Sequence, residues 1–212
     1  MSTLRSIESL AQFVESLPAS PRRIIGIAGS PGAGKSTIAD ALVARLRSAV
    51  VLPMDGYHLP QARLVELGRR DRMGAPDTFD VDGFLATLSA LRAVDNSGNP
   101  VLAPGFDRGI EEPVPDAIRI LQELSTVVVE GNYLLLANAP WWQVRPLLDL
   151  AVFIDVPREA VKARLLKRHA EHGLFSEARN REHVERVDLA NYDLVKRSRG
   201  RADLAIDLVT EG

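Results

Sequence analysis

The stretch Gly29-Ser30-Pro31-Gly32-Ala33-Gly34-Lys35-Ser36-Thr37 concentrates more chemistry than any other part of the chain. It matches the phosphate-binding loop pattern, Gly, four residues, then Gly-Lys-Ser/Thr, at every required position. Glycines let a backbone wrap closely enough for successive N–H groups to point at a phosphate, and a helix beginning just after them turns its positive end toward the same anion. Lys35 offers a point charge suited to β- and γ-phosphates, and Ser36 offers a hydroxyl suited to Mg²⁺. Gly29, Ser30, Gly32, Ala33, Gly34, Lys35, Ser36 and Thr37 are therefore the expected nucleotide-binding residues.

A loop of this kind says nucleotide without saying reaction, and two carboxylates narrow the choice. Val127-Val128-Val129-Glu130-Gly131 is an apolar run ending in an acid, the position from which a carboxylate holds Mg²⁺ or its water in phosphate-loop proteins. Val51-Leu52-Pro53-Met54-Asp55 ends the same way. Ligands gather at the carboxyl ends of parallel strands, so Asp55 and Glu130 are both expected to face the phosphates. Phosphoryl transfer to a hydroxyl wants such a pair, one acid near the metal and one to take the acceptor's proton.

Five short apolar, β-branched runs supply the frame for these groups: Ile24 to Ala28, Val50 to Met54, Thr126 to Val129, Leu150 to Val156 and Leu204 to Leu208. Such runs suit strands buried on both faces of a parallel sheet. Helical patterns separate most of them, with Ile38, Leu42 and Leu46 on one face after the Gly-rich loop, and Pro157 to His169 opening on a proline. Strands alternating with helices predict an α/β, doubly wound parallel sheet. Leu4, Ile7, Leu10, Val14 and Leu17 predict an additional helix over residues 3–17, within an N-terminal helical segment 1–20.

One interval is too long for a crossover. About 70 residues lie between the second run and the third. This interval, residues 56–125, holds an Arg- and Gly-rich loop from Leu67 to Pro76, a helical pattern from Val81 to Leu91, a turn at Asn96 to Pro100 and two extended pieces around 101–106 and 117–121. It reads as an insertion building a substrate pocket over the sheet.

Composition excludes several classes. The 212 residues carry 26 basic and 28 acidic side chains, a net charge of -2, so bulk nucleic-acid binding is not expected. A chain of this length with 46% hydrophobic residues fits one globular domain spanning 1–212. With no Cys there are no disulfides, thiolate metal sites or cysteine nucleophiles. The N-terminus lacks a signal-peptide pattern and no run approaches the roughly 20 apolar residues needed to span a bilayer; no membrane partner and a cytoplasmic location are expected. Only four of the 26 basic residues are lysines, leaving 22 arginines. Genome composition explains most of that skew, but a guanidinium also grips phosphate as a planar fork.

Four motifs in register carry a resemblance: Gly29 to Thr37, Asp55-Gly56-Tyr57-His58, Gly74-Ala75-Pro76-Asp77-Thr78-Phe79-Asp80 and Val129-Glu130-Gly131-Asn132-Tyr133. Over roughly residues 22 to 210 the chain resembles the P-loop small-molecule kinases comprising phosphoribulokinase, uridine kinase and bacterial pantothenate kinase, and looks most like the short bacterial members labelled fructose-transport-system kinases. The resemblance implies a P-loop NTPase sheet of five strands in the order 2-3-1-4-5, helices on both faces, ATP with Mg²⁺, and transfer of the γ-phosphoryl group to an alcohol. It implies Lys35, Asp55, Glu130, Arg164 and Arg168 as the catalytic set, with Asp55 the general base and Ser36 and Glu130 the metal residues.

Tyr57 and His58 would line the acceptor pocket, with Arg72, Asp77 and Arg108 as further acceptor-side candidates beside Phe106 and Asp107. Arg164 and Arg168, four apart and so on one helix face, would belong to a lid over residues 157–180. Met73-Gly74-Ala75 replaces the aromatic-Asp pair of uridine-kinase-like members, so a pantothenate-type acceptor is weighed beside a sugar such as fructose and ahead of a nucleoside. A homodimer is the assembly such relatives commonly form. The competing class is a regulatory or non-catalytic P-loop NTPase linked to sugar transport; its GTPase version needs an Asn-Lys-x-Asp motif, which the chain lacks. His169, His172 and His183 have no metal-ligand spacing and read as surface residues, and Trp141-Trp142 could serve core, pocket or contact alike.

Overall fold

The computed structural model describes residues 2–93, 98–172 and 176–207. Its strands are β1 (Ser2–Leu4), β2 (Arg23–Gly29), β3 (Ala49–Pro53), β4 (Val101–Asp107), β5 (Glu112–Ile120), β6 (Thr126–Gly131), β7 (Leu150–Ile154) and β8 (Leu204–Ile206). Its helices are α1 (Ile7–Ser16), α2 (Lys35–Val43), α3 (Gln61–Glu66), α4 (Val81–Arg92), α5 (Arg158–His172), α6 (Glu177–His183) and α7 (Leu189–Arg197).

Six strands form one sheet in the order β3-β6-β2-β7-β8-β1, and every pair is parallel. For the five apolar runs this is the expected order 2-3-1-4-5. The difference is at the edge, where Ser2, Thr3 and Leu4 pair with Leu204, Ala205 and Ile206. The N-terminal periodicity thus overreached. Ser6 caps α1 by accepting from the Ser9 N–H at 3.1 Å, so the helix starts at Ile7 and Leu4 is left to extend the sheet.

Alternation along β2 shows why the run had to be apolar throughout. Ile25 and Ile27 pack with Leu10 and Val14 of α1 and Ile38 and Leu42 of α2, whereas Ile24 and Ala28 pack with Phe84 and Leu88 of α4 and Val195 of α7. Helices therefore cover both faces, and truncating any such isoleucine to Ala would cost about 2–5 kcal/mol. At the N-terminal end of β2 the Arg22 guanidinium is buried against the carbonyls of Leu91, Leu121, Gln122 and Leu124. One of the 22 arginines is thus structural, tying α4 and the end of the insertion to the sheet.

Within the long interval, β4 and β5 form an antiparallel hairpin that is separate from the main sheet. The hairpin presses on the turn after β3, where a Cβ on Gly56 would run into the carbonyl of Pro104. Only glycine permits that approach, and the approach brings the end of β4 over Asp55. Trp141 is buried and donates its indole N–H to the Pro76 carbonyl at 3.0 Å, while Trp142 is exposed. Part of the expected turn, at 96–97, and part of the expected lid, at 173–175, lie outside the described residues. Among the described residues, no helix is long and apolar enough to cross a membrane.

Candidate active site

A cleft of about 630 Å³ opens at the carboxyl ends of β2, β3 and β6. Its floor is the loop between β2 and α2. Gly32 and Gly34 sit at φ of 72° and 91°, a region closed to most L-residues, and Gly34 caps α2 without any side-chain acceptor. The N–H groups of the first turn are left for an anion in the cleft. Leu165 of α5 packs directly on Gly32, so the helix following β7 lies against the loop.

Lys35 donates to Asn132 Oδ1 at 2.6 Å and to the Ser30 carbonyl at 3.1 Å. Burial lowers its pKa, against the pull of Glu130 and Asp55. The Ser36 hydroxyl donates to Glu130 Oε1 at 2.9 Å. Glu130 ends β6 in register with Ile27 of β2 and Pro53 of β3, and is only 4% exposed. Burial pushes its pKa up, opposed by Lys35 and reinforced by Asp55.

Asp55 lies just past β3, in the 3-10 turn Met54–Tyr57. Its Oδ2 accepts from Arg108 Nη2 at 2.8 Å. Burial alone would raise its pKa, but His58, Arg108, Lys35 and Arg168 together hold it below the ordinary carboxylate value. His58 stacks between Phe79 and Phe106, with ring centroids 4.0 and 4.7 Å away, and its Nδ1 lies 2.8 Å from the Asp55 carbonyl. A carbonyl can only accept, so Nδ1 carries the hydrogen. Burial lowers the His58 pKa, against the pull of the Asp55 carboxylate and carbonyl, and so favours the neutral imidazole.

Arg164 and Arg168 both reach the cleft from α5. Arg164 Nη1 stands 3.5 Å from the Ala33 carbonyl, and burial lowers the Arg168 pKa. Asp55, Glu130, Lys35, Ser36, Arg108, Arg164 and Arg168 thus converge, although their positions span much of the chain.

Three expected acceptor-side residues are placed elsewhere. Tyr57 turns into the core, 4% exposed, its ring edge against Phe84 at 5.0 Å and its hydroxyl near Thr87 but without a well-formed hydrogen bond among the described residues. The 3-10 turn that aims Asp55 at the cleft necessarily aims Tyr57 the other way. Arg72 and Asp77 form a bidentate pair with each other at 2.8 and 2.5 Å, outside the cleft. The motif containing Asp77 is a joint: the Gly74 carbonyl accepts from Tyr133 and Asn191, and that of Pro76 from Trp141.

Sequence reasoning passed over Asn132, although it falls two residues after Glu130 in a motif already singled out. It also passed over Arg70, Arg179, Arg186 and Asp188 on the cleft wall, which no periodic signal marks. His169 and His183 line the cleft instead of lying free on the surface.

Fold and cleft together define an α/β P-loop protein of the kinase type. The family model described as "Phosphoribulokinase / Uridine kinase family" matches residues 24–211, and the chain belongs to that family. It is 34% identical, over 91% of its length and 86% of the relative's, to a protein of Schizosaccharomyces pombe named as a candidate uridine kinase. It is 38% identical over 152 residues, 69% of this chain and 88% of the relative, to an ATP-dependent kinase-like protein of Aspergillus versicolor. A crystal structure from Silicibacter sp. TM1040, named as a candidate fructose transport system kinase, superposes with a TM-score of 0.87 at 33% identity, covering 95% of this chain and 99% of that one.

Proposed function

We propose that this protein transfers the γ-phosphoryl group of ATP to a hydroxyl of a small metabolite. The observation that carries the reading is that a carboxylate with a lowered pKa, Asp55, lines the same cleft as Lys35, Ser36 and Glu130. In this reading the loop N–H groups and Lys35 bind the phosphates. Asp55 orients the acceptor hydroxyl and takes its proton as the O–P bond forms. Arg164 and Arg168 lie over the transferring group, where a guanidinium stabilises spread negative charge and helps exclude water.

The residues present fit Mg²⁺. The Ser36 hydroxyl and the Glu130 carboxylate are hard oxygen donors held together at 2.9 Å, and Glu130 is a buried anion that a cation would compensate. A metal held there would neutralise charge on the phosphates.

Two kinds of acceptor are separated by the cleft wall. The name of the Silicibacter structure points to a sugar such as fructose. Arg70, Arg108 and Arg186 on the wall are paired with Glu111, Asp55 and Glu182, so a carboxylate or phosphate on the alcohol, as on a pantothenate-type acid, would be met by Arg168, or by Arg108 once it leaves Asp55. The test is ATP consumption by the purified protein against neutral sugars, hydroxy acids, sugar phosphates and nucleosides. Acceptor-dependent consumption is expected, greatest for an anionic alcohol. Consumption that stays flat across the panel would overturn the kinase reading in favour of a regulatory NTPase.

A further inference from the structure

The part of the cleft lining supplied by α5, α6 and the turn before α7 holds a cluster that phosphoryl transfer does not use. His169 near the end of α5, His183 at the end of α6 and Asp188 each offer a ligand atom, and these atoms lie within 4.8 Å of one another. His169 Nε2 is 3.1 Å from Asp188 Oδ2, and the two imidazole rings stand at 74° with centroids 5.6 Å apart. Asp188 is buried, at 8% exposure, and all three residues line the cleft.

The convergence has a backbone cause. Residues Val184–Asp188 form a π-helical turn between α6 and α7. Its i→i+5 bonding puts His183 and Asp188, five apart, one turn above each other, where an α-helix would point them in different directions. Asn180 of α6 then donates to the His169 carbonyl at 3.3 Å and ties α5 to the helix that leads into this turn. A plain His169–Asp188 pair would need neither the π turn nor His183 aimed at the same point. π turns of this sort occur frequently at functional sites.

We propose that His169, His183 and Asp188 bind one divalent transition-metal ion of the Zn²⁺ class. Two imidazole nitrogens and one carboxylate oxygen are a borderline donor set that suits Zn²⁺ or Co²⁺, unlike the all-oxygen set at Ser36 and Glu130. The 3.1 Å separation is close to the spacing of neighbouring ligands about an ion with bonds of about 2.0–2.2 Å. Three protein ligands would leave a coordination position for a further donor, and because all three residues line the cleft, an oxygen of a bound small molecule could supply it.

The test is titration of the purified, tag-free protein with Co²⁺, followed by its visible d–d absorption, and with Zn²⁺ by calorimetry, both in a large excess of Mg²⁺. The expected result is one ion per chain, with affinity falling at least about tenfold in His183→Ala and in His169→Gln, while circular dichroism and thermal melting stay close to wild type. Asp188→Asn serves as a third variant if its fold is retained. Absence of saturable Co²⁺ binding, or binding unchanged in both histidine variants, would overturn the site. Because the readout is metal binding alone, the result is independent of whether the protein phosphorylates any alcohol.

Discussion

The two ends of the cleft are built by different means. At the phosphate end the groups are main-chain N–H groups of the loop and side chains from the start of α2 and the end of β6, with Lys35 held to Asn132 at 2.6 Å and Ser36 to Glu130 at 2.9 Å. At the acceptor end the groups are long guanidiniums and imidazoles delivered by the β4–β5 hairpin, by α5 and by the π turn. A site made from backbone geometry is fixed by the fold, whereas one made from side chains on added elements can be re-specified without disturbing the sheet. Nucleotide binding should therefore be sensitive to few positions and acceptor choice to many.

Substitutions at each end can break this contrast. The largest effect is expected from Lys35→Ala, which should reduce nucleotide binding by calorimetry below detection and bring turnover to background; retention of either would show that the loop does not carry the phosphates. Next, Asp55→Asn should lower kcat by about 10²- to 10⁴-fold while the nucleotide dissociation constant stays within a few-fold. A parallel loss of nucleotide affinity would mean that the two ends are not separable.

Arg108→Ala sharpens the comparison through pH. Arg108 favours the charged form of Asp55, so removing it raises the Asp55 pKa. The acid limb of kcat/KM, which in the wild type falls below the usual Asp value of about 3.9, should move to higher pH. An unmoved limb would separate Asp55 from the titration that governs turnover. The smallest effect is expected from Tyr57→Phe. It removes a buried hydroxyl without a well-formed hydrogen bond among the described residues, so stability should be unchanged or higher by up to about 1 kcal/mol in denaturant titration, with acceptor KM unaltered. A raised KM would return Tyr57 to the acceptor end.

The same division explains what could be read from the sequence. The phosphate end is contiguous from Gly29 to Thr37, and its fixed geometry demands fixed residue types. The five apolar strands declare themselves: four of them run five to seven residues, and β8, though only three residues long, is buried throughout and therefore apolar at every position. β1 does not, since its Ser2 and Thr3 are polar and exposed and Leu4 happens to fall in step with the helix that follows. At the acceptor end proximity in sequence misleads: Tyr57 sits two residues from Asp55 yet faces the core, and Asp77 lies in a quoted motif yet pairs with Arg72. Asp188 and His183 are joined by a π turn, and a helical reading at a period of 3.6 could not have paired them.

The Asp55–Arg108 contact has a bearing on fidelity. A bare carboxylate beside an activated phosphate would as readily deprotonate water as an alcohol, and ATP would drain into hydrolysis. If Asp55 is the base, the guanidinium held at its Oδ2 weakens it toward a stray water by lowering its pKa, and an acceptor that draws Arg108 to itself would restore its basicity. On the proposed reading, the hairpin held in place by the bare backbone of Gly56 makes the protein frugal with nucleotide until the right alcohol arrives.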